Sequence, residues 1–343
     1  MELVLCGSWL GSEGFYRAKL KRVDFFSSLQ EVTIPSMGFV ILSYGLSEET
    51  LGIRVKSSSL PKVVLFEVED FEKTEIGYKR VVGEKLASTS KEEYTKGVRK
   101  VKELIAQGVI YQLNLTARFD YAILGSPKDL FSKYYTTQPV PYAFFADLED
   151  FYVLSGSMEL FLEKRGDHIV SKPIKGTARS KEYLEKSQKD KAENLMITDM
   201  VRNDLSRIAL RGSVRVEKLF EVEEFATLFQ MHSTVVAKTQ KDFKEIIYAT
   251  FPPASVVGAP KRKAVEVINS LETHSRDYYC GCAGLLMGQD FTLSVLIRSA
   301  IGKRDKLSYF AGAGIVYDSE PEKEWEEVLL KAEAFERSFI IGL

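Results

Sequence analysis

Tyr111-Gln112-Leu113-Asn114-Leu115-Thr116 alternates apolar and polar side chains with a period of two, the signature of a β-strand. Tyr111, Leu113 and Leu115 fall on one face, and Gln112, Asn114 and Thr116 on the other. Working outward, Ser90 followed by Glu93 reads as a helix start. Tyr94, Val98, Val101, Leu104 and Ile105 then recur at helical spacing until Gly108. From Val109 to Ile174 the chain reads as a run of antiparallel strands, followed by a helical region from Lys181 to Leu205. Strands return near Val214 to Ala237, then helices near 241–250 and 260–271. Further strands are expected over 278–287, 291–301 and Leu307–Ile315. Ser319-Glu320-Pro321-Glu322 reads as a second capping box that opens the last helix. Residues 1–90 read as β-rich, with strands such as Glu31–Leu42 and Lys62–Val68. Strands in blocks, with helices in blocks between them, predict an α+β fold of antiparallel sheets with helices outside.

The polar strand faces carry the first functional signal. Val153, Ser155, Ser157 and Glu159 share a face, as do Thr292, Ser294 and Arg298. A solvent-facing strand ordinarily carries long charged side chains; Ser, Thr, Asn and Gln on several strands predict the lining of a wet pocket instead. The 343 residues carry 47 basic and 48 acidic side chains, a net charge of -1 that favours neither nucleic acid nor a membrane surface. The first residues lack the basic region and apolar run of a signal peptide, and no apolar stretch reaches membrane-spanning length. Three cysteines, Cys6, Cys280 and Cys282, build no disulfide framework and suit a reducing cytoplasm.

Asp190 and Glu193 lie three apart on one helix face, and Glu324 and Glu327 repeat the spacing on the last helix. Either pair alone reads as a solvated acidic face. Facing one another, they would form an oxygen-only site for Mg²⁺. Lys175, in Lys172-Pro173-Ile174-Lys175-Gly176-Thr177, reads as a turn lysine or, if desolvated, as a nucleophile or base. Gly258-Ala259-Pro260-Lys261 opens a helix whose first N–H groups could hold an anion.

Taken in order, Glu193-Asn194-Leu195-Met196, Arg202-Asn203-Asp204-Leu205, Gly258-Ala259-Pro260-Lys261 and Ala311-Gly312-Ala313-Gly314-Ile315-Val316 with Asp318-Ser319 resemble the chorismate-utilising family. The resemblance runs from about Lys91 to Lys331, and the first ninety residues share it only loosely. It implies an anthranilate synthase component I-like fold, with residues 1–343 forming one chorismate-binding unit and 91–343 its catalytic region. It further implies Glu193 and Glu327 as direct Mg²⁺ ligands, with Asp190 and Glu324 behind them. Tyr279 and Arg298 would hold the enolpyruvyl carboxylate, and Ser255, Gly314, Lys331, Thr177 and Gln112 would make further substrate contacts.

Within the family, the lysine of Pro173-Ile174-Lys175-Gly176-Thr177 is similar to that of the aminodeoxychorismate synthases, where anthranilate and salicylate synthases carry alanine. The resemblance implies that Lys175 adds to chorismate C2 while the 4-hydroxyl leaves. Glu159, sixteen positions earlier, would be the acid that protonates the departing hydroxyl. Ammonia then enters at C4. Gln112 occupies the place of a water-activating lysine in isochorismate synthases, and an amide cannot act as that base. No glutaminase constellation is present in the sequence, so a separate glutamine amidotransferase subunit is expected to supply ammonia. Anthranilate synthase component I is the alternative within the family, and a non-catalytic chorismate- or tryptophan-binding subunit the alternative outside it. Gln230 stands where anthranilate synthases carry a histidine. His232, two positions on, is left unassigned.

Overall fold

The computed structural model describes residues 1–225 and 228–341. Strands β1 to β7 span Glu2–Gly7, Gly14–Phe26, Gly38–Leu42, Val63–Thr74, Val82–Ser88, Gln112–Leu124 and Tyr142–Asp147. Strands β8 to β13 span Tyr152–Ser157, Leu160–Arg165, His168–Ser171, Ile174–Ala178, Arg215–Phe225 and Leu228–Lys238. Strands β14 to β19 span Gly258–Ala259, Cys282–Met287, Asp290–Val295, Ser299–Lys303, Lys306–Ile315 and Ile340–Ile341. The helices are α1 (Ser47–Leu51), α2 (Lys91–Ala106), α3 (Pro127–Thr137), α4 (Lys181–Lys186), α5 (Gln188–Ser206), α6 (Phe243–Thr250), α7 (Lys261–Leu271) and α8 (Pro321–Glu336).

The strands form one antiparallel ladder that bends back on itself. One limb runs β5-β6-β18-β17-β8-β7-β1-β2. The other runs β2-β4-β3-β15-β16-β9-β10-β13-β12, with β11 also paired to β13. A short β19–β5 contact is parallel. The limbs bury their inner faces against each other, as the edge-to-face contact of Phe39 on β3 with Phe144 on β7 shows (5.0 Å). Helices α2, α3 and α8 cover the first limb: Trp325 packs on Tyr94, and Phe335 stacks on Tyr309 at 4.3 Å. Helices α5 and α6 cover the second, with Phe243 against Phe291. The predicted α+β class and antiparallel sheets hold.

Two connections pass from limb to limb side by side. Ser157 to Leu160 carries the chain from β8 to β9, and Leu296 to Arg298 carries it from β16 to β17. They are laced together by Val295 N–H to Glu159 O (3.0 Å) and Gly156 N–H to Arg298 O (3.1 Å). Glu159 and Arg298 sit in these two crossings.

Several expectations fail locally. Helix α3 interrupts the strand run expected over 109–174; Ser126 caps it, Pro127 fits its first turn, and Leu130, Phe131 and Tyr134 face the core. The strand expected over 291–301 breaks at Leu296–Arg298, so Arg298 does not share a strand face with Thr292 and Ser294. Tyr279 lies in a turn before β15, not on a strand with Gly281 and Ala283 beside it. Gly281 is needed for close packing, because a methyl group there would meet Leu42 O at 2.0 Å. The expected strand from Glu31 begins only at Gly38. Ser187 divides the helix expected over 181–205, its hydroxyl accepting from Asp190 N–H to start α5. Ser319 does not cap α8; its hydroxyl accepts from Val316 N–H in the preceding turn. In the strand region near Val214 to Ala237, residues 226 and 227 lie outside the described residues.

Candidate active site

A cleft of about 460 Å³ opens between α5, α8 and the crossings, a size suited to a small organic ligand. It is lined by Lys175, Thr177, Glu159, Asp190, Glu193, Ser255, Tyr279, Arg298, Gly314, Glu324, Glu327 and Lys331, bringing together every expected site residue except Gln112. Gln112 lies directly behind. A methyl group on Gly314 would stand 2.9 Å from Gln112 Nε2, 3.0 Å from Lys175 Nζ and 3.5 Å from Glu193 Oε2. Glycine at 314 therefore lets three functional groups converge over bare backbone.

Burial makes Glu159 an acid. Desolvation pushes its carboxyl up to about 7, against the opposing pull of the Ser255 hydroxyl, Lys175 and Ile174 N–H. At neutral pH a large fraction carries a proton.

Arg298 reads as an anion clamp. Burial disfavours its charge, but the phenols of Tyr309 and Tyr134 around it hold its pKa above the usual guanidinium value. Its φ of +51° is strained for arginine. The conformation is held by its carbonyl, which accepts from both Gly156 N–H and Tyr134 Oη (3.3 Å). An incoming carboxylate would supply a bidentate partner for the guanidinium. Tyr279 stacks on Phe310 at 5.4 Å, which fixes its hydroxyl near Gly312.

The polar faces are buried, but of the residues expected to wall a pocket only Asn114, Glu159 and Arg298 line the cleft. Gln112 Oε1, Asn114 Nδ2, Gln230 Oε1 and Tyr309 Oη find no hydrogen-bond partner among the described residues. Asn114, Gln230 and Tyr309 line the cleft. Orphaned buried polar atoms are rare in a folded protein, and four around one cavity mark a place built for a polar ligand. Thr292, Ser294 and Ser155 have a different role: they bond to Glu163 and Arg165, to Ala283 O, and to Ile297 O, respectively.

Helices α5 and α8 bring the two acidic pairs face to face. Burial pushes the Glu193 and Glu324 carboxyls up, and each is raised further by a neighbouring carboxylate. Lys331 has the opposite effect on Glu327, holding its carboxyl below the usual range through a 2.6 Å hydrogen bond. Lys189 Nζ lies 4.0 Å from Glu193 and 3.8 Å from Glu324, a cation set between the helices. Among the described residues no three carboxylates, histidines or cysteines converge as a closed ligand set. Repelling carboxylates partly neutralised by a lysine nevertheless suit a hard cation that keeps much of its water.

Other motif residues are structural, a distinction their types did not reveal. Lys261 pairs with Asp204 and donates to Thr250 O, so it fastens α7 to α5 instead of helping to hold an anion. Asn194 accepts from Ser233 Oγ and donates to Met231 O, seating α5 on β13. His232 faces Glu221 and Glu223 and does not line the cleft, whereas Gln230 does. Glu272 and Arg276, absent from the expected set, form a fully buried pair: Glu272 accepts from Thr116 N–H, and Arg276 donates to Asn114 O and Val256 O. Cys6, Cys280 and Cys282 are free and buried.

The pattern of the chorismate binding enzymes matches residues 60–337, which includes the whole cleft and starts ahead of Lys91. The chain belongs to this family. It is 36% identical over 74% of its length to anthranilate synthase component 1 of Aquifex aeolicus, covering 54% of that protein. It is equally 36% identical over 70% of its length to aminodeoxychorismate synthase component 1 of Salmonella typhimurium, covering 56% of it. The chain thus spans little more than half the length of these curated relatives. In fold it resembles anthranilate synthase component I of Streptococcus pneumoniae, at a TM-score of 0.78 and 23% identity, over 98% of this chain and 90% of that one. No helix among the described residues is long and apolar enough to cross a membrane.

Proposed function

We propose that the chain is an aminodeoxychorismate synthase component I, which replaces the 4-hydroxyl of chorismate with an amino group. The observation that carries this reading is Lys175 beside the Gln112 amide over Gly314, with the acid Glu159 lining the same cleft. Arg298 and Tyr279 anchor the enolpyruvyl carboxylate and place the ring between lysine and acid. Glu159 donates its proton to the C4 oxygen as that C–O bond breaks, and water leaves. The Lys175 amine gives its electron pair to C2, shifting the diene so that the hydroxyl's bonding pair departs with oxygen. Ammonia then bonds to C4 and stays there as an ammonium, the C2–N bond breaks, and the pair returns to Lys175. Gln112 offers no base to activate water, which favours a nitrogen nucleophile over a hydroxyl.

Mg²⁺, held directly by Glu193 and Glu327 with Asp190 and Glu324 behind them, would supply positive charge for the ring carboxylate. Ammonia comes from a glutamine amidotransferase subunit. The "component 1" in the names of the similar proteins supports such a partnership. The identical similarity to anthranilate synthase makes product analysis the decisive experiment. Incubated with chorismate, Mg²⁺ and ammonium, the protein should yield aminodeoxychorismate by mass spectrometry and release no pyruvate. Anthranilate with stoichiometric pyruvate would overturn the reading. Lys175→Ala should abolish the covalent chorismate adduct visible in the intact-protein mass; if the wild type forms none without ammonia, and the variant turns over normally, lysine catalysis is wrong.

A further inference from the structure

Beside the cleft, and sharing Glu159 and Ser255 with it, lies a second and much smaller cavity. Its free volume is about 10 Å³, close to one water, and Glu159 and Ser255 line both cavities. The rest of its polar wall is Ser171, Asp204 and Thr250; the remainder is apolar, including Leu162, Val201 and Leu205. Thr250 Oγ1 already donates to Ile246 O. The Glu159 carboxyl, the Ser171 and Ser255 hydroxyls and the Asp204 carboxyl, one oxygen of which already accepts from Lys261, are the further polar groups of its lining. A buried water is held by two to four such partners, so the count fits a single molecule.

The proposed chemistry gives this cavity a task. After each turnover Glu159 is a carboxylate and needs a proton back, yet substrate or product fills the cleft in front of it. We infer that the cavity holds one ordered water joining Glu159 to Asp204, through which Glu159 regains its proton while the cleft is occupied. Asp204 is a positioning residue here, since it touches neither substrate nor reacting atoms. The transfer balances: the water takes a proton from Asp204 and passes one to Glu159, leaving itself unchanged, and Asp204, its side chain 12% exposed beside Lys261, takes its own back from solvent. Burial raises the Asp204 carboxyl, and Lys261 and Arg207 pull it down.

The inference rests on Glu159 being the acid of the proposed reaction, and two variants separate the claims. Ser171 is buried on β10, and Ser171→Val there removes a hydroxyl and adds a methyl that fills the water's space. We expect kcat to fall roughly 10-fold, a fraction of what a full general acid is worth, with KM unchanged. The loss should deepen with rising pH, where free protons are scarce. Ser171→Ala, which keeps the space, should retain most activity. A high-resolution crystal structure of the wild type should show water density between Glu159 and Asp204. An empty cavity overturns the relay, and so does a folded Ser171→Val with wild-type kcat and pH profile. Should Ser171→Val not fold, the crystal structure alone decides. Failure of the underlying reading looks different: Glu159→Gln would then leave kcat intact.

Discussion

Glu159 shows how one residue's surroundings set its chemistry. Its pKa is about 7, against 4.5 for an exposed glutamate, so over this interval the folded protein binds a proton that the unfolded chain has released. Stability from this group is therefore fully present below about pH 4.5 and is lost as pH rises toward 7. Glu159→Gln removes that loss. Relative to wild type its melting temperature should rise between about pH 5 and about pH 8, by the equivalent of roughly 1–3 kcal/mol. Its kcat should meanwhile drop about 10²–10⁴-fold with chorismate binding retained, because the amide keeps the shape and cannot donate the proton. A variant that gains no stability at high pH would show that the carboxyl is better solvated than its burial implies. The acid was legible in the sequence through a resemblance alone, since Glu159 lies in the crossing beyond β8 and not on the strand face expected for it. The orphaned amides of Asn114 and Gln230 were not, because being unpartnered is a property of three dimensions. Gly314 was visible as a motif glycine, but its reason, the approach of Gln112 and Lys175, was hidden.

Among the elements, α5 and α8 were legible as helical regions though not in where they start, and the facing of their acidic pairs follows from helix geometry once both pack on the ladder. If Mg²⁺ binds there, it binds the folded state alone. Melting temperature should then climb with Mg²⁺ concentration, by the equivalent of about 2.7 kcal/mol at a hundredfold excess over Kd, and EDTA should reverse it. Glu327→Gln should shift that titration to higher Mg²⁺. A melting curve indifferent to Mg²⁺ would remove the metal from these helices. The Glu272–Arg276 pair was illegible: an acid and a base four apart near a helix end normally lie in solvent. Here they are buried and brace β6 through Thr116 N–H and Asn114 O. Glu272→Gln leaves Arg276 charged and uncompensated, and should cost about 3–5 kcal/mol, measured by urea denaturation. A loss under about 1 kcal/mol would mean that water reaches the guanidinium.

At the scale of the molecule, block alternation of strands and helices gave the class, and antiparallel pairing follows from it. One error falls where the chain changes limb. Leu296–Arg298 reads as continuous strand because every side chain there is compatible with one, and only the ladder's return on itself forces the break. Helix α3 was overlooked for a related reason: its Phe131 and Tyr134 are equally good strand residues, and packing under α8 decides between the two.

The paired crossings at Glu159 and Arg298 have a kinetic consequence. Neither limb can complete the candidate cleft alone, since Glu159 and Arg298 take their places only once both limbs are laced together across a large sequence separation. Contacts so distant in sequence form late. On dilution from denaturant, far-ultraviolet ellipticity should therefore recover in an early phase, with chorismate turnover returning in a distinctly slower one. Coincident recovery would mean that the limbs assemble in a single step.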